Sequence, residues 1–113
     1  MSIISAFQPS GNTITITAAN VAPTALQAVV YGPFTEQYRV VNTGNVTVYM
    51  GYGANAALAN INGGSIAFTS GNSAALPVLA GSVEVFTLPA NLYFTAQTVT
   101  STAQVYVTPG EGL

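Results

Sequence analysis

The chain has 113 residues and four charged side chains, Glu36, Arg39, Glu84 and Glu111, with no histidine and no cysteine. Charged residues make up 4% of it, against about 25% in an ordinary globular domain. This composition removes Ser–His–Asp and Cys–His nucleophilic chemistry and His or thiolate zinc sites. A single cation also argues against nucleic acid and anionic membrane surfaces as partners, because both need clustered Lys and Arg.

Half the residues are apolar, so the composition is that of a folding chain, and its length suits one domain, 1–113. Thr, Asn, Ser and Gln supply the polarity that charge supplies elsewhere. Met1 to Pro9 has neither a basic segment nor a long apolar one, so no secretory signal is expected. No apolar run reaches the roughly 18 residues of a membrane span. Folding in a cytoplasm is the expectation.

The predicted elements are strands. Thr13–Thr17 alternates polar and apolar residues with period two, after the turn-prone Pro9-Ser-Gly-Asn12. Ala25–Tyr31 is ambiguous. Its start suits a helical turn after Pro23, while Val29-Val-Tyr31 before Gly32-Pro33 suits a strand. Gln37–Val41 and Val46–Met50 flank Asn42-Thr-Gly-Asn45, which predicts a hairpin with Gly44 at positive φ. Ala54–Asn60 reads as a helical turn or an ordered loop.

Ile66–Ser70 is a further short strand, and Pro77–Gly81 an extended approach and turn. In Ser82–Leu88, Val83, Val85 and Thr87 share one face and Glu84, Phe86 and Leu88 the other. Leu92–Ala96 and Ala103–Thr108 are the last strands, the second ended by Pro109-Gly110. Seven or eight short strands spaced near ten residues predict an all-β fold, an antiparallel β-sandwich. A jelly roll is the first choice and an Ig-like sandwich the alternative. The phase of Val46–Gly51 is echoed in Ala103–Thr108, as repeated use of the same strand residues would produce.

No catalytic, cofactor or metal site is expected. The three glutamates are scattered, and Gly51-Tyr-Gly53 and Gly63-Gly64 lack the Lys-Ser or Lys-Thr of a phosphate loop. The candidate sites are therefore contact residues. Arg39 offers several planar donors and suits a buried contact, with Glu36 nearby in sequence. Tyr38, Tyr49 and Tyr52 combine a ring with a polar tip, as interfaces and sugar platforms do. Residues 1–12 and 109–113 are candidate arms, and Ile3, Ile4, Phe7 and Leu113 give them apolar side chains for a neighbour.

Tyr38–Gly51, Pro77–Pro89, Tyr93-Phe94 and Val105–Leu113 resemble, in style, small virion proteins of tailed bacteriophages. The nearest likeness is to capsid decoration or cement proteins of jelly-roll type. The likeness covers roughly residues 38–113 and rests on no catalytic signature. It implies a homodimer or homotrimer on the capsid surface of the virion, bridging major capsid protein subunits or another virion protein. The alternative is a head-fibre, tail-fibre or spike module that binds a host glycan. An open β fibre is a third possibility for so uncharged a chain.

Overall fold

The structure is a computed structural model that describes residues 7–29, 37–59 and 75–111. Among the described residues nine strands occur in chain order. They are β1 (Gln8–Pro9), β2 (Ile14–Ala18), β3 (Leu26–Gln27), β4 (Gln37–Asn42), β5 (Val48–Gly53), β6 (Leu76–Val78), β7 (Val83–Thr87), β8 (Tyr93–Gln97) and β9 (Ala103–Glu111). The expected strand at Ile66–Ser70 lies outside the described residues. A single helical turn at 56–59 is capped by Asn55, whose side-chain oxygen accepts the Leu58 N–H at 2.9 Å.

The strands form an antiparallel β-sandwich. In the first sheet β9 lies between β4 and the pair β1 and β2, and β7 forms the edge beyond β4. The second sheet has the order β3-β8-β5-β6. The pairings are nested: β2 with β9, β3 with β8, β4 with β7, β5 with β6. The chain is thus one long folded-back ribbon whose tip lies between β5 and β6. The ribbon is rolled so that β9 also meets β4, and β8 meets β5. At one side β2 runs on to a parallel bridge, Ala19 with Gln97, which ties the two sheets together.

The period-two pattern decides what faces inward. Ile16 and Ala18 of β2, Val40 of β4, Val105 and Val107 of β9, and Val48, Met50, Phe94 and Ala96 of the second sheet are buried in one core. Tyr38 and Phe94 bridge the sheets edge to face, with centroids 4.8 Å apart. In β7 the inward set is Glu84 and Phe86, since they pair with buried Val40 and Tyr38.

Tyr38 is fully buried and its hydroxyl is used twice. It donates to the Pro89 carbonyl at 2.6 Å and accepts the Leu92 N–H at 3.3 Å. Burial raises its pKa, partly offset by backbone hydrogen bonds from Leu92 and Asn91. A phenol whose folded pKa is raised contributes stability that is complete below its unfolded pKa and is lost as pH rises through the folded value. Tyr38→Phe is therefore expected to cost about 1–2 kcal/mol at neutral pH. It should also flatten the loss of stability above about pH 10. Urea melts of both proteins across that range check both statements.

The expected hairpin at Asn42–Asn45 does not form. β4 ends in the first sheet and β5 begins in the second, so the chain crosses between sheets there. Gly44 is not among the described residues with positive φ, and Gly81, in the turn before β7, is. Gly44 is needed for space instead: a Cβ there would lie 2.5 Å from the Ala103 Cβ and 3.0 Å from its Cα. Gly44→Ala is expected to destabilise the fold by about 1–3 kcal/mol, because a backbone atom of β9 must move. Thermal denaturation measures it.

Asn42 holds this crossing together. Its side-chain amide donates to the carbonyls of Val46 (2.9 Å), Val78 (3.0 Å) and Leu79 (3.3 Å). Its side-chain oxygen accepts the Gly44 N–H at 3.0 Å. Three segments from the two sheets thus share one buried side chain.

β9 continues through Pro109-Gly110 rather than ending there. Thr43 N–H donates to the Gln104 carbonyl, so the even-numbered residues of β9 point their backbone groups at β4. Pro109 points the other way, where its carbonyl accepts the Ser10 N–H. Its missing N–H faces the gap between β1 and β2, so no bond to β4 is lost. The register confirms that gap: Pro9 pairs with Gly110 and Ile14 with Val107, which leaves four residues on one strand opposite two on the other.

Candidate functional site

The outer face of the first sheet is the candidate site. Strand alternation brings Thr15 and Thr17 of β2 and Gln104, Tyr106 and Thr108 of β9 to this side. Gln37, Arg39 and Val41 of β4 and Val83, Val85 and Thr87 of β7 complete it. Thr13 joins the polar end through its hydroxyl, 2.6 Å from that of Thr108, and Thr17 donates to the Gln104 side-chain oxygen at 3.2 Å. One Thr–Thr pair and one Thr–Gln pair thus bond to each other across the β2 side of β9. The face grades from this hydroxyl stripe to the valines of β4 and β7, with Val83 51% exposed.

Arg39 sits near the middle of this face, exposed, with Thr108 across on one side and Val85 on the other. It is the one charge there among the described residues. Glu84 pairs with buried Val40 and lies on the inward side, and Glu111 ends β9 opposite Gln8. No ion pair to Arg39 exists among the described residues. A face-to-face pairing of two copies would set two guanidinium groups on surfaces with no carboxylate to receive them among the described residues. The face therefore suits an unlike partner that brings its own carboxylate.

The contact residues expected from sequence divide. Arg39 and Phe7 lie on the same side of the sheet, since Phe7 lays its ring against Gly110, two residues along β9 from Thr108. Phe7 is thus docked on its own sheet, and β1 and the end of β9 pair with each other. The described parts of the expected arms, 7–12 and 109–111, are parts of the sandwich. Tyr38 is a core residue rather than a contact, since its ring and its hydroxyl are both used inside the chain. Tyr49 and Tyr52 lie on opposite sides of β5: Tyr49 is outside, beside Pro77 and Gln97, and Tyr52 packs on the core. They cannot form one stacking platform. Glu36, Ile3, Ile4 and Leu113 lie outside the described residues.

Val83, Val85, Thr87 and Tyr106 are members of this face that the sequence reading did not single out. Alternation in β7 separates two faces but not inner from outer, because Val83, Val85 and Phe86 are all apolar. Among the described residues no group of three His, Cys, Asp or Glu side chains could hold a metal ion, and no helix is long and apolar enough to cross a membrane. No family model, curated protein or solved structure matches the chain.

Proposed function

We propose that the chain is a structural virion protein of a tailed bacteriophage, a decoration or cement subunit that binds the outside of the head and bridges major capsid subunits. The observation that carries this reading is the outer face of the first sheet: broad, built on four strands, and nearly uncharged. Covering Thr, Gln, Val and Tyr costs little desolvation compared with covering Lys and Glu. Arg39 then contributes one directed contact to a carboxylate on the shell. Repeated copies on a shell add avidity to a modest single contact. In this reading the protein performs no catalysis and takes no cofactor, nucleic acid or membrane as partner. It assembles in the host cytoplasm.

The fold we assign within the sandwich is the jelly roll, an architecture used by viral capsid and lectin domains. Its support is the nested order of strand pairs, in which β5 and β6 are the only consecutive strands that pair among the described residues. An Ig-like sandwich pairs its first two strands with each other, whereas here β1 and β2 both pair with β9 and not with each other. Fold alone does not fix function, so the weight rests on the face.

Co-sedimentation of the purified protein with heads stripped of it tests the proposal. Saturable binding that survives moderate salt is expected, because so few charges are available to screen. Absence of binding to heads, together with clear signals on a glycan array, would transfer the protein to the fibre or spike class.

A further inference from the structure

The exposed edge of β7 has a bonding pattern that fits a second copy of itself. Asn42 N–H donates to the Ser82 carbonyl at 3.0 Å. Bonded pairs alternate along an antiparallel ladder, so Ser82, Glu84 and Phe86 direct their backbone groups to β4. Val83, Val85 and Thr87 direct theirs away from the sheet, where no described strand meets them. This edge presents three N–H and three C=O groups in a row.

The other edges are blunted. β6 has three residues and contains Pro77, and β3 has two residues. β2 is tied to β8 through Ala19 and Gln97, with the Thr98 N–H donating to the Ala19 carbonyl at 2.8 Å. The β7 edge has five residues, no Pro and no Lys; its one guarding feature is the inward charge of Glu84, which leaves the outward backbone groups of Val83, Val85 and Thr87 open.

We infer that two copies of this chain pair through antiparallel β7 strands, with Val85 on the twofold axis. This inference rests on the sheet and not on the proposed function. In that register Val85 faces Val85, and Val83 faces Thr87 of the second copy. All six outward groups on each strand are then satisfied. Glu84 falls opposite Phe86 of the second copy, so no two like charges face each other. The two Arg39 residues lie three strand spacings apart, about 14 Å, on one continuous outer face. Pairing uses both β7 edges, so the assembly closes as a dimer rather than growing into a fibre.

Cysteine cross-linking tests the register, because the chain has no native cysteine. Directly opposed residues in a bonded pair have Cα atoms about 5.5 Å apart, within the roughly 4.4–6.8 Å that a disulfide spans. Val85→Cys is expected to give a covalent dimer on mild oxidation. Val83→Cys and Thr87→Cys should each stay uncrosslinked alone and cross-link when mixed. Equal cross-linking of all three single variants, or of none, overturns the register. Val85→Pro removes one outward N–H and touches no bond to β4, a position where an edge strand tolerates Pro. It should keep the β circular dichroism and halve the mass seen by light scattering. A wild-type monomer or trimer at tens of micromolar, or a dimer that survives Val85→Pro, contradicts the inference.

Discussion

Replacing Asn42 with Ala is expected to lower the unfolding free energy by about 3–5 kcal/mol, the largest stability effect of any single polar substitution among the described residues. The side chain is fully buried and its amide donates to three carbonyls on two segments, Val46 before β5 and Val78-Leu79 at the end of β6. Alanine leaves the Val46 and Val78 carbonyls and the Gly44 N–H without this partner, while the Leu79 carbonyl keeps the Ser82 N–H and hydroxyl. An unsatisfied buried polar group costs about 1–3 kcal/mol, and these groups share one site, so the sum is less than three separate losses. Asn42→Asp should be at least as severe, because it keeps the size but turns the donor into an acceptor facing carbonyls. Exposed Asn45, in the same loop, is the control: Asn45→Ala should stay within about 0.5 kcal/mol. Urea denaturation of the three variants decides the matter. A cost below about 1 kcal/mol for Asn42→Ala would mean that the crossing is held by something else.

Reversing Arg39 to Glu should weaken binding to phage heads by roughly thirty-fold or more while leaving the isolated fold unchanged. The fold is insensitive because Arg39 is exposed and makes no ion pair among the described residues. Binding is sensitive because the substitution places a carboxylate against the carboxylate we assign to the shell. Losing one member of a desolvated charged pair costs about 2–5 kcal/mol, and about 1.4 kcal/mol is tenfold in affinity. Arg39→Lys should recover part of the binding, since the charge remains but the planar fork does not. Co-sedimentation titrations give the affinities, and thermal melts confirm the unchanged fold. Equal binding by wild type and Arg39→Glu would place the contact on another face.

Much of the fold is legible in the sequence because Thr13–Thr17, Gln37–Val41, Ser82–Leu88 and Ala103–Thr108 alternate in period two. Each corresponds to a strand. The sheet order is not legible, and Asn42–Asn45 shows why. Its Asn and Gly suit a two-strand hairpin, yet what they do is join two sheets. The difference lies in partners far along the chain, Val78, Leu79 and Ala103. Pro109 misleads in the same way. A proline ends a strand when its missing N–H would face a neighbour, and here that direction is the break between β1 and β2. Tyr38 and Arg39, adjacent in sequence, were both expected at an interface. Alternation must send them to opposite sides, and long-range pairing decides that the tyrosine goes inward.

The outer face was legible only in its chemistry. Scarce charge pointed to surfaces that a neighbour can cover, and the sheet gathers those residues around Arg39. Whether they serve on a phage particle is the central claim. Quantitative mass spectrometry of purified virions of the phage we propose to encode this chain tests it most directly. The account predicts a copy number in fixed proportion to the major capsid protein, and loss of that signal when heads are stripped. Virions with none of this protein would contradict it.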